Sequence, residues 1–171
     1  MKKTLQLFAC IIVSICIYTI SCYSQSTKRY DNEDKNYSIE FPQSWVFSYD
    51  KNALVSALSA CDSLDSNNLL IITTGATGAL TLNEAMKITK RNMGIGKKNP
   101  IDSQGDDIIN GMNTKWCVFD INTNAGSRKI KMYLFKKGSR QYTIQAKLIP
   151  NEFETKIKVF EEVISTFKIH N

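Results

Sequence analysis

The chain has 171 residues, with 22 Lys and Arg against 16 Asp and Glu, a formal charge of +6, and a single histidine, His170. That length fits one domain of ordinary size and leaves little for a second. One histidine near the end of the sequence excludes two-histidine metal sites and the H-E-x-x-H motif, and leaves Ser-His or Cys-His catalysis only to a tail folded back into a cleft.

In chain order, residues 1–21 come first, where Lys2 and Lys3 precede an uncharged apolar run of 14 residues, 7–20. A basic start and a short apolar run form the secretory pattern. A helix crossing a bilayer needs about 20 residues, so a cleaved signal is expected over a permanent span. Thr19-Ile20-Ser21-Cys22 then resembles a bacterial lipobox, with a small residue before the cysteine and a polar chain after it. In that motif the peptidase cuts before a cysteine whose sulfur carries a diacylglyceryl group, which makes Cys22 the expected lipidation site. Thr19 stands where the motif usually has Leu, Val or Ile, and an ordinary signal peptide cut nearby is the alternative. Two or three acyl chains at about 0.8 kcal/mol per buried methylene anchor a protein stably, so the membrane is an expected partner through this anchor.

Loss of residues 1–21 leaves 150 residues and takes the charge to +4, because Lys2 and Lys3 go with it. Cys10 and Cys16 go too, leaving Cys61 and Cys117 beside Cys22. An exported chain permits one disulfide between Cys61 and Cys117; two buried thiols are the alternative.

Residues 22–36 are polar, mix both charges and lack aliphatic side chains, which predicts a tether before a domain at 37–171. Within that domain, 37–41 alternates and stops at Pro42, and 45–49 follows after a Pro-Gln-Ser corner, predicting two strands. Residues 53–59 predict a weaker strand rich in Ala and Ser, and the continuous apolar run 69–74 predicts a strand covered on both faces. Thr81 with Glu84 three residues later is a capping box, and Gly94 marks the helix end. Leu82, Met86 and Met93 form its inner stripe; Lys87, Lys90 and Arg91 form a basic outer face.

Strands at 107–110, 114–123, 129–136 and 141–148 alternate across short turns, a pattern of antiparallel hairpins. The closing helix is expected to start at Asn151 as N-cap, with Glu154 behind it and Phe153, Ile157, Phe160, Ile164 and Phe167 on one face. Five such side chains make this helix part of the core, lying across the sheet.

Chemistry-bearing motifs are few. Neither a G-x-S-x-G elbow nor a phosphate-binding G-x-x-x-x-G-K-[ST] is present, nor a C-x-x-C or an EF-hand loop. Gly94-Ile-Gly96-Lys97-Lys98 is a glycine pair beside two lysines that reads as a turn, with an anion cradle as the sharper alternative. Asp102, Asp106 and Asp107 read as a solvated loop, with a Ca²⁺ site as the alternative. The basic side chains of the first helix, with Lys97, Lys98, Arg128, Lys129, Lys131, Lys136, Lys137 and Arg140, read as solvated positions or as a patch for an anionic partner.

Four segments carry a family likeness: Tyr37-Ser-Ile-Glu-Phe41-Pro42-Gln-Ser-Trp45, Leu80-Thr81-Leu82-Asn83-Glu84, Ile109-Asn110-Gly111-Met112, and Phe160-Glu-Glu-Val-Ile164-Ser-Thr-Phe167-Lys-Ile169. In their order they resemble the PsbP-like superfamily, which includes DcrB-type bacterial envelope lipoproteins and Ran-binding Mog proteins. The resemblance spans residues 36–170. It implies an α+β fold in which a central, mostly antiparallel sheet is sandwiched by helices, an α-β-α sandwich. Trp45 is expected as a core or corner residue. The expected protein is a non-catalytic exported lipoprotein of the cell envelope that binds a partner protein or supports an envelope assembly, without cofactor, metal or nucleic acid. The alternative is a soluble secreted or periplasmic module that binds a small ligand in a cleft beside the meander.

Overall fold

The computed structural model describes residues 26–50, 56–124 and 126–170. The expected signal segment 1–21, the lipidation site Cys22 and the first part of the expected strand at 53–59 lie outside the described residues. Ten strands and two longer helices follow in the order β1 Thr27–Asn32, β2 Tyr37–Pro42, β3 Trp45–Asp50, β4 Ala57–Asp62, β5 Asp65–Ala76, α1 Leu82–Asn92, β6 Ile101–Ile109, β7 Met112–Thr123, β8 Gly126–Lys137, β9 Arg140–Leu148, α2 Phe153–Ser165 and β10 Lys168–Ile169. Seven strands form one antiparallel sheet in the order β3-β4-β5-β9-β8-β7-β6, and β1-β2-β10 form a second, smaller one. The corner at 42–44 therefore passes the chain from one sheet to the other.

Segment 22–36 was expected to be a tether, yet its described part contains β1, which pairs with β2 over six registered positions. Its composition offers little to bury, but the ladder to β2 satisfies the backbone and Tyr30 packs against Tyr37, Phe47 and Tyr49. Asn32, buried, accepts from the Lys35 N–H and closes the turn after the strand.

One face of the large sheet carries both α2 and the small sheet. Tyr37, Ile39 and Phe41 from β2 meet Leu58, Leu70, Ile72, Ile144 and Phe160 in a single apolar cluster. Trp45 lies inside it, buried, with its ring 4.9 Å from Phe160 and stacked 5.9 Å from Phe41, as expected of a core residue. The predicted stripe of α2 is buried throughout: Phe153, Ile157, Phe160 and Ile164, with Phe167 after it. Its start differs from expectation, because Pro150–Glu152 form a 3-10 turn and Asn151 does not cap the helix. Pro150 presets that turn, so the first turn is entered without a side-chain cap.

The opposite face holds α1, whose Ala85 and Met86 press on Cys117, Phe119, Ile130, Met132 and Leu134. These belong to β7 and β8, so α1 covers one side of the sheet only. Seven strands at about 4.8 Å spacing span roughly 29 Å, whereas a helix is about 10 Å wide. The α-β-α sandwich is therefore incomplete: the fold is sheet-dominated, and among the described residues β3, β4 and β5 carry no helix on this face. Leu69 and Ile71, expected to be covered, are half-buried there, while Leu70 and Ile72 on the other face are fully buried.

Candidate functional site

A groove of about 970 Å³ runs between α1 and the edge formed by β6 and β7. It exists because α1 is pinned at both ends. At its start the Thr81 hydroxyl accepts from the Glu84 N–H, and the Glu84 carboxylate accepts from the Thr81 N–H at 2.8 Å, which holds that carboxyl below the usual range. After its last turn, Gly94 and Gly96 adopt φ of +68° and +84°, a left-handed region that favours glycine. They fold the chain back through a tight turn in which Gly96 N–H donates to Asn99 O and Lys98 N–H to Gly94 O. Those donors are spent inside the turn, which excludes the anion cradle considered for this glycine pair and places Lys97 on the groove.

The floor is Met86, Ile95 and Ile101. Gln104 of β6 turns toward α1, so Gly105 and its partner Trp116 turn to the α2 face, where the indole lies over the glycine: a Cβ there would stand 2.9 Å from the indole Cζ2. A glycine inside an alternating strand is the sequence sign of such a close approach, and the 105–116 pairing was not anticipated. On that α2 face Lys131 Nζ lies 4.7 Å from the centre of the same ring and pairs with Glu161 of α2.

The walls are cationic. Lys90 donates to Gln104 at 2.6 Å and Lys115 pairs with Asp106. Lys87, Arg91 and Lys97 also line the groove, are exposed, and make no ion pair among the described residues. Lys87 and Arg91 lie four residues apart on one helical face, where like charges repel by a few tenths of a kcal/mol. The meander cations weighed as part of the same patch are engaged elsewhere: Lys129 with Asp102, Lys136 with the Gly138 carbonyl, Arg128 with the Ser127 carbonyl. The anionic-partner patch thus contracts from eleven basic residues to the few on and after α1.

The acidic cluster falls apart in the same way. Asp102, Asp106 and Asp107 sit on strand β6, not in a loop, and two of them are bound to lysines, Asp106 to Lys115 of β7 and Asp102 to Lys129 of β8. Among the described residues no three His, Cys, Asp or Glu side chains converge on a metal position. His170 joins the small sheet: its N–H donates to Asn36 O and its ring nitrogen Nε2 lies 2.9 Å from Ser38 Oγ.

Cys61 and Cys117 are both free thiols. They lie on β4 and β7, four strand spacings apart, roughly 19 Å, whereas a bridge needs Cα atoms within about 7 Å. The disulfide is excluded by topology, which 55 intervening residues of sequence do not disclose. Burial pushes the Cys117 thiol up to about 11, and burial with Asp62 and Asp65 nearby raises Cys61. Both thiols are therefore poorer nucleophiles at neutral pH than a free cysteine. In a Cys22→Ala chain, a maleimide reagent is expected to label Cys61 slowly and Cys117 only after unfolding, read by mass spectrometry; rapid native labelling of Cys117 would contradict the buried position.

No family model and no curated protein matches the sequence. Solved structures do. CyanoP, the cyanobacterial PsbP of Synechocystis, superposes with a TM-score of 0.65 at 14% identity, covering 88% of this chain and 96% of that one. This chain has a PsbP-like fold. LpqN, a Mycobacterium tuberculosis protein involved in cell envelope biogenesis, gives 0.58 at 10% identity over 87% of this chain and 88% of its own. A Bacteroides thetaiotaomicron protein gives 0.63 at 12% identity, and this PsbP-like chain spans about half of it, 49%.

Proposed function

We propose that this chain is a non-catalytic exported lipoprotein of the cell envelope, anchored through Cys22, whose PsbP-like domain binds an acidic segment of a partner protein in the α1–β6 groove. The observation that carries the reading is the set of three cations without an ion pair among the described residues, Lys87, Arg91 and Lys97, around an apolar floor of Met86, Ile95 and Ile101. A carboxylate-rich segment neutralises the first and covers the second. The groove lining includes no Ser, Thr, Cys or His side chain among the described residues, which favours binding over group transfer. LpqN, with the same fold, is involved in envelope biogenesis, and the secretory pattern and lipobox of residues 1–22 agree with an envelope location. Export also removes nucleic acid from the candidate anions.

Two variants test the proposal. Cys22→Ala is expected to abolish acyl labelling and move the protein from the membrane to the soluble fraction; unchanged fractionation rejects the anchor. The triple variant Lys87→Glu, Arg91→Glu, Lys97→Glu is expected to keep its melting temperature, since all three side chains are exposed. Its affinity for a partner crosslinked through the groove is expected to fall about 100-fold, the effect of three reversed surface charges. Undiminished binding by a folded triple variant rejects the groove. Thermal stabilisation of the wild type by small anions alone, with no protein partner retained, turns the reading to a small-ligand module.

A further inference from the structure

The end of the domain nearest the proposed anchor carries an exposed apolar tip. Gln43 N–H donates to the Ser26 carbonyl at 2.9 Å, Ser63 N–H to the Ser44 carbonyl at 3.2 Å, and Ser44 Oγ to Asp62 at 3.2 Å. Three hydrogen bonds thus bring together the place where the chain enters the fold, the corner after β2 and the turn between β4 and β5. Leu64 stands at the summit of that turn, 95% exposed, with Val46 51% and Val159 42% exposed nearby. Behind Leu64 a depression of about 320 Å³ is lined by Trp45, Val159 and Phe160. Lone exposed leucines are common; this one is singled out by where it sits.

From Cys22 to Ser26 there are four residue steps, and an extended chain covers at most about 3.6 Å per step, roughly 14 Å. Acyl chains on Cys22 therefore keep Ser26, and the two turns bonded beside it, within roughly 14 Å of the bilayer surface. The charges at this end lean negative: Asp62, Asp65 and Glu152 outnumber Lys28, bound to the Gln43 carbonyl, and Lys156, bound to Asp65 and Glu152. The surface that suits it is the boundary between headgroups and acyl chains, reached by apolar insertion and not by attraction to anionic lipid.

We infer that the Leu64 turn, with Val46 and Val159, inserts into the membrane that carries the anchor and sets the domain upright on it. This rests on lipidation at Cys22. The 12-residue β5 then leads away from the bilayer for about 40 Å, and the turn at Gly138 and Ser139, which receives Thr77 N–H, is at the distal end. The α1–β6 groove is left open on the flank.

The test uses the acylated full chain with Cys61→Ser, an environment-sensitive dye on either Ser63→Cys or Ser139→Cys, and vesicles of phosphatidylcholine doped with nitroxide lipid. Both dye positions are exposed, and Cys117 is buried away from the reagent. The dye at 63 is expected to shift to the blue and lose most of its emission to the nitroxide, while the dye at 139 keeps its own. Adding Leu64→Asp is expected to leave acylation and vesicle binding intact and to restore emission at 63. If the acyl mass is present and the two positions are quenched alike, or neither is, the inserted tip is wrong while the anchor stands. If no acyl mass is found on Cys22, the anchor reading fails and the inference falls with it.

Discussion

Replacing Phe167 with alanine is expected to lower the free energy of unfolding by about 3–5 kcal/mol, a large part of what holds a domain of this size together. The side chain is fully buried where three parts of the molecule meet: its ring centre lies 5.5 Å from Tyr37 of β2, 5.0 Å from Phe135 of β8 and 5.7 Å from Tyr142 of β9. No one of these elements can move to fill the space without breaking contact with the others, which puts the cost toward the upper end for such truncations. Equilibrium urea denaturation of the Cys22→Ala chain measures it. Phe167→Leu is expected to cost under about 2 kcal/mol because most of the volume is kept. A loss below 1 kcal/mol for the alanine variant would show that the small sheet is not coupled to the large one through this ring.

The second large effect is expected at Asn68, a polar side chain 2% exposed. Its amide donates to Asp65 at 2.6 Å and to Glu152 at 2.7 Å, and its oxygen accepts from the Ile149 N–H at 2.8 Å. Lys156 joins the same two carboxylates at 2.5 and 2.8 Å. Asn68 thus ties the start of β5 to the turn that begins α2. Asn68→Leu keeps the volume, strands the Ile149 N–H and removes the amide from the carboxylates, an expected loss of about 2–3 kcal/mol.

That loss is expected to depend on pH. Lys156 and then Asn68 hold the Asp65 and Glu152 carboxyls below their ordinary values. A lowered folded-state value contributes stability above the unfolded-state value, near 4, and the contribution disappears as pH falls through the folded value. The gap between wild type and Asn68→Leu is therefore expected to be full at pH 7 and to narrow below about pH 4. A gap that widens in acid would contradict the arrangement.

How much of this was legible depended on whether one segment carried its own signal. The stripe of α2 was readable because five large apolar residues recur at helical spacing, and α1 because Thr81 and Glu84 satisfy each other locally. The meander strands were readable from alternation across short turns. β1 was not, since its polar residues are ordered by a ladder to β2 and by one tyrosine. The strand expected at 53–59 is observed as β4, Ala57–Asp62, because Ala and Ser show no pattern that fixes a boundary. The apolar run in β5 disclosed that both faces are apolar, but not that α1 is too narrow and too far across the sheet to cover one of them. The lysines of α1 were visible as a basic face. Their role in a groove needed the turn at Gly94 and Gly96 that brings Lys97 beside α1, and the ion pairs that take other basic residues out of contention.

The pairing of β10 with β2 orders events in time. Residues 168 and 169 dock on Ser38 and Tyr37, about 130 positions earlier in the chain, and His170 fastens to Asn36 beside them. The small sheet and the ring contacts of Phe167 can close only after these final positions have become available. Long sequence separation of this kind slows folding, because loop closure comes before the contacts that reward it.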